Sequence, residues 1–117
     1  MISVYKDNDG WIESTEVAED TWIHVEAPTE PDLKWLGQET AVPDSFLRAA
    51  LDPREVARTH SYQDSQLVIV RVPYDFGRDV RIPIRTVPLA MIVSADHFIT
   101  ICRRPIDFVR DLNYAYD

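Results

Sequence analysis

Leu67-Val68-Ile69-Val70-Arg71-Val72-Pro73 is nearly continuously apolar and dominated by β-branched side chains, and a proline closes it. A run of this kind reads as a central strand covered on both faces. Downstream, Phe76-Gly77-Arg78-Asp79 makes a turn, Arg81 to Thr86 alternates, and Pro88-Leu89-Ala90-Met91-Ile92-Val93 is fully apolar. Two strand segments are expected to meet around Pro88, a position that proline occupies best at a sheet edge or bulge. After Ser94-Ala95-Asp96, His97 to Cys102 reads as a last strand, and Pro105 opens a helix to about Tyr116 with Phe108, Val109 and Leu112 on one face.

Upstream, Met1 to Tyr5 alternates and Trp11-Ile12-Glu13 resumes beyond Asp7-Asn8-Asp9-Gly10, whose Asp-Gly pair suits a hairpin turn. Thr21-Trp22-Ile23-His24-Val25 is a third strand, closed by Ala27-Pro28 because proline disfavours helix in the residue before it. Thr29 offers a hydroxyl cap to a helix with Pro31 and Asp32 in its first turn and Leu33, Trp35 and Leu36 as its apolar stripe, ending near Glu39. Pro43 and Asp44 open a second helix through Phe46, Leu47, Ala50 and Leu51, which Asp52-Pro53 terminates. The order predicts one domain over residues 1–117: an α/β, α+β-like sandwich with a mixed sheet of about six to seven strands and helices packed on its faces.

The 117 residues suffice for one core, and a 45% hydrophobic share argues against disorder. Acidic side chains outnumber basic ones by 20 to 12, and the resulting charge of −8 repels nucleic acid and attracts cations. With Cys102 alone no intrachain disulfide forms, which suits a reducing compartment. No apolar run approaches the ~18 residues of a spanning helix.

Enzyme motifs are missing: three glycines build no phosphate loop or dinucleotide fingerprint, and no nucleophile elbow occurs, so no catalytic residue and no organic cofactor is assigned. His24, His60, His97 and Cys102 lack zinc-ligand spacing, and Cys102 reads as a small buried hydrophobe. Asp7, Asp9 and Glu13 lack the twelve-residue calcium-loop pattern and read as solvated turn residues.

Four stretches in order carry a family likeness: Thr21-Trp22-Ile23-His24-Val25 with Pro28-Thr29-Glu30; Val42-Pro43-Asp44-Ser45-Phe46-Leu47; Ala50-Leu51-Asp52-Pro53; and Leu67 to Pro73 with Thr86-Val87-Pro88-Leu89. Together, over essentially the whole chain, they resemble the N-terminal cytoplasmic domain of CorA-type magnesium and divalent-cation transporters. The resemblance implies a homopentamer in the cell membrane with this domain in a cytoplasmic funnel, and a Gly-Met-Asn pore motif and membrane helices that lie outside this sequence. It also implies a weakly bound regulatory Mg²⁺ held by carboxylates between subunits. Asp44, Asp52 and Glu55 are the nearest candidates, although Arg48-Ala49 stands where relatives often carry an acidic residue. The alternative expectation is a stand-alone α/β module that binds a protein partner and has no ion role.

Overall fold

The computed structural model describes residues 1–7, 11–14, 16–77, 81 and 84–106. Seven strands form one sheet: β1 (Ile2–Asp7), β2 (Trp11–Ser14), β3 (Thr21–Glu26), β4 (Arg58–Tyr62), β5 (Ser65–Asp75), β6 (Ile84–Val93) and β7 (His97–Cys102), in the order β2-β1-β3-β7-β6-β5-β4. All neighbours are antiparallel except β3 and β7, which run parallel in the register Ile23↔Ile99 and Val25↔Ile101. The sheet is therefore mixed, and β3, β7 and β6 form its middle.

Helix α1 (Glu30–Thr40) begins as its sequence dictates. Thr29 is extended at φ −90°, its hydroxyl accepts the N–H of Asp32, and the Asp32 carboxylate accepts the N–H of Thr29. This reciprocal cap satisfies two orphan donors of the first turn. Ala41 closes the helix at φ 55°. The second helical segment is α2 (Asp44–Arg48) followed by a 3₁₀ turn, Ala49–Leu51.

α1, α2 and the 3₁₀ turn all cover one face of the sheet. Leu33, Leu36, Phe46, Leu47 and Ala50 pack there against Ile23, Val25, Ile69, Ile92, Ile99 and Ile101, every one of them buried. The opposite face carries the alternate residues: Trp22, Leu89, Cys102 and Ile106 are buried, with Tyr5, Val70, Val72, Met91 and Phe98 half-buried around them. The helix expected from Pro105 to Tyr116 lies, from residue 107 onward, outside the described residues, as do the turn residues Asn8-Asp9-Gly10 and Arg78-Asp79.

Three expectations change. The Leu67–Val72 run is a strand but not a central one, because β5 lies one place from the edge strand β4. Leu67 and Ile69 are buried while Val68, Val70 and Val72 are half-buried, so the run is covered unequally on its two faces. Second, the segments either side of Pro88 are one continuous strand, β6. Pro88 sits opposite Arg71 of β5, and the pairing with β7 begins only at Leu89↔Cys102. The strand is thus flanked on one side alone at Pro88, and a missing N–H is tolerated there. Third, β4, an added strand with the sequence Arg-Thr-His-Ser-Tyr, carries no apolar pattern because it is an edge strand exposed from Thr59 to Tyr62.

Candidate functional site

The carboxylates singled out from the sequence lie on the stretch from α2 to the start of β4. Asp44, at the first residue of α2, accepts a hydrogen bond from Arg48 Nε at 2.7 Å, an i,i+4 pair on an exposed face. Arg48 simultaneously grips Glu30 of α1 through both terminal nitrogens, at 2.8 and 2.6 Å. Hydrogen bonding to Arg48 holds the Glu30 carboxyl below its ordinary value, against a smaller opposing effect of burial. Arg48 therefore links Glu30 and Asp44 and occupies both with a fixed cation.

Asp52 follows the 3₁₀ turn, and its Oδ1 accepts the N–H of Arg54 at 2.9 Å. That is the Asx turn expected of an Asp-Pro sequence. Among the described residues its second oxygen accepts no hydrogen bond, and the side chain faces solvent. Glu55 is half-buried and receives Arg58 Nε at 2.8 Å, which lowers its pKa. No three His, Cys, Asp or Glu side chains among the described residues gather closely enough to hold a metal. The structure thus places Asp44, Asp52 and Glu55 along one segment without converging them into a single site.

Arg71 organises that segment. Its Nη1 donates to the carbonyls of Pro53 and Glu55 at 3.2 and 2.7 Å, while Nη2 and Nε donate to the carbonyl and hydroxyl of Thr86 at 2.7 and 2.9 Å. One guanidinium thereby ties the loop carrying Asp52 and Glu55 to β5 and β6. The signal for it was a single charge interrupting the apolar run Leu67–Val72, since an arginine so placed must find acceptors beside the sheet.

A second polar group lies on the sheet face away from α1 and α2. Trp22 Nε1 donates to the Thr100 hydroxyl at 2.9 Å, His24 Nδ1 lies 2.7 Å from the same hydroxyl, and His24 Nε2 lies 3.0 Å from Glu26 Oε1. Thr100, His24 and Glu26 are each no more than 5% exposed. A neutral His24 that accepts at Nδ1 and donates at Nε2 completes one chain through all four residues. Beside it, burial and the nearby Glu26 charge push the Cys102 thiol up to about 12. Cys102 should therefore resist a disulfide-exchange reagent at neutral pH in the folded chain and react at the rate of a free thiol in denaturant, followed by release of the chromophore; rapid native labelling would place it at the surface.

The sequence model of the family described as CorA-like Mg²⁺ transporter protein matches residues 18–117. A search of curated protein sequences gave no match. Among solved structures, the complete CorA magnesium transporter from Methanocaldococcus jannaschii superposes with a TM-score of 0.80 at 22% identity, covering 98% of this chain and 36% of that one. The soluble domain of the same transporter gives 0.79 at 22% identity, covering 97% and 45% of the two chains. The ZntB cytoplasmic domain from Vibrio parahaemolyticus gives 0.74 at 16% identity, covering 97% and 48%. At such identities the likeness is one of fold, and the chain spans less than half the length of each of these relatives. No helix among the described residues is long and apolar enough to cross a membrane.

Proposed function

This chain belongs to the CorA-like Mg²⁺ transporter family, and from that membership we propose that it is the cytoplasmic funnel domain of a divalent-cation transporter, contributing to ion-dependent gating and performing no catalysis. The observation that carries the reading is the family match over residues 18–117 together with coverage of nearly the whole chain by the CorA fold. In the longer protein the domain assembles as a homopentamer on the cytoplasmic face of the cell membrane.

The regulatory ion is Mg²⁺, and the residues offered to it are Asp44, Asp52 and Glu55. Within one chain they do not complete a site, since no three-ligand group forms among the described residues. As single ligands presented to a neighbouring subunit they fit, because Mg²⁺ prefers hard oxygen donors and keeps most of its water while taking one or two carboxylates. Asp52 fits best: Asp44 and Glu55 are each paired with an arginine, whereas Asp52 retains an oxygen outside its turn. When bound, the ion supplies a positive charge that both partners at an interface share, which favours the assembled, closed arrangement.

Mg²⁺ at about ten times its dissociation constant should raise stability by about 1.4 kcal/mol, or several degrees of melting temperature. A thermal melt and sedimentation run across a Mg²⁺ titration, at matched ionic strength, should show this rise in the parent chain and its loss in Asp52→Ala. A response identical to that of added NaCl in both chains removes ion sensing from these residues. A longer gene product without membrane helices downstream removes the transporter reading itself.

A further inference from the structure

In a chain of charge −8, four of the 12 basic side chains line one cleft of about 490 Å³, and no carboxylate among the described residues lines it. Arg71 comes from β5, Arg85 from β6, and Arg103 and Arg104 from the segment after β7, so two neighbouring strands and the segment leaving a third deliver guanidinium groups to one end of the sheet. Arg71 is committed to protein oxygens. Arg85, Arg103 and Arg104 have neither a carboxylate partner nor a protein acceptor among the described residues.

Two of these groups are held in place by aromatic packing. Arg85 lies 4.4 Å and Arg104 4.7 Å from the centroid of the same Phe76 ring, so the two cations are separated by no more than the sum of those distances. Tyr74, edge-on to Phe76 at 4.9 Å, extends the aromatic platform and lies 5.7 Å from Arg104. Stacking uses the flat face of a guanidinium and leaves its in-plane N–H donors pointing outward, preorganised for a forked acceptor. Ordinary exposed arginines sit among carboxylates and swing freely; these are concentrated, two of them stacked on one ring, and without counter-charge among the described residues.

We propose that this cleft binds a small phosphate-bearing polyanion, recognised by Arg85, Arg103 and Arg104 on the Phe76 platform. Forked guanidinium donors match phosphate oxygens in pairs, and a cleft of this size accommodates two or three linked phosphates rather than one. The negative net charge does not prevent this, because at physiological ionic strength a surface charge is screened within about 8 Å and the local field is that of the arginines. Nucleic acid, a long anion that must cross the acidic remainder of the surface, is not the occupant.

Isothermal titration of the full chain with tripolyphosphate, in buffer freed of divalent ions by a chelator, tests the assignment independently of the Mg²⁺ reading. Saturable one-to-one binding is expected, weakening as salt rises and falling at least tenfold in the double variant Arg85→Gln/Arg103→Gln. The double variant Lys6→Gln/Lys34→Gln, with the same change in net charge on exposed positions of β1 and α1, should bind as the parent does. A nucleoside triphosphate serves as the second arm: equal affinity assigns recognition to the phosphates alone, higher affinity adds the base and sugar, and both outcomes support the site. Three results overturn it: no saturable heat at millimolar ligand, equal loss in both double variants, or tighter binding of a polyglutamate peptide than of tripolyphosphate. Near-ultraviolet circular dichroism identical to the parent verifies that the exposed substitutions leave the fold intact.

Discussion

Replacing Ile99 by alanine should destabilise the chain by about 3–4 kcal/mol and lower its melting temperature by about 10–20 °C. Ile99 is fully buried in β7, the fourth of seven strands, where it faces Ile23 across the parallel pairing and Ile92 across the antiparallel one. Both neighbours are also fully buried, under the layer formed by α1 and α2. Removing three carbons from such a position costs their transfer energy and leaves a cavity that strands pinned on both sides cannot collapse. Val93 supplies the contrast. It is equally apolar and ends β6, yet it is 48% exposed, and Val93→Ala should change stability by less than about 0.5 kcal/mol. Calorimetric melts of the two variants check the pair; a fall of only a few degrees for Ile99→Ala would mean that the middle of the sheet is not where this packing places it.

The second large effect is expected from Thr100→Val, an isosteric change that removes one hydroxyl. That hydroxyl is shared by Trp22 Nε1 and His24 Nδ1, both beneath the surface. Substitution takes one hydrogen-bond partner from each of two buried polar groups at once, at about 1–3 kcal/mol for each. A loss of about 2–4 kcal/mol is expected from chemical denaturation. Thr100→Ser, which keeps the oxygen and loses a methyl, should recover more than half of it. If serine proves as damaging as valine, the methyl packing and not the hydroxyl is what the site requires.

The two substitutions sit side by side in β7 and point to opposite faces of the sheet, which shows how far the linear sequence carries. His97 to Cys102 is legible as a strand from its composition, and the alternation of Ile99 and Ile101 with Thr100 and Cys102 already separates two faces. That the Thr100 face is covered well enough to make a hydroxyl structurally costly is not legible, because the partners Trp22 and His24 lie 78 and 76 residues away. Likewise the carboxylates Asp44, Asp52 and Glu55 were readable as acidic positions near a helix end. The pairing of Asp44 with Arg48 and of Glu55 with Arg58, and the tether from Arg71 to the loop carrying Asp52, depend on distances that spacing alone does not encode.

By itself the sequence determined the elements whose physics is local: the Thr29–Asp32 cap, the hairpin of β1 and β2, the helix stop at Asp52-Pro53, and the β-branched strands. These follow from backbone sterics and hydrogen bonds between residues a few positions apart. Tertiary structure alone decided the parallel union of β3 with β7, the second-from-edge place of β5 and the run of β6 through Pro88. It also gathered Arg71, Arg85, Arg103 and Arg104 into one cleft. Pairing between distant strands is chosen by which faces bury the most apolar surface together once the loops have closed, a comparison among whole arrangements that no single segment contains.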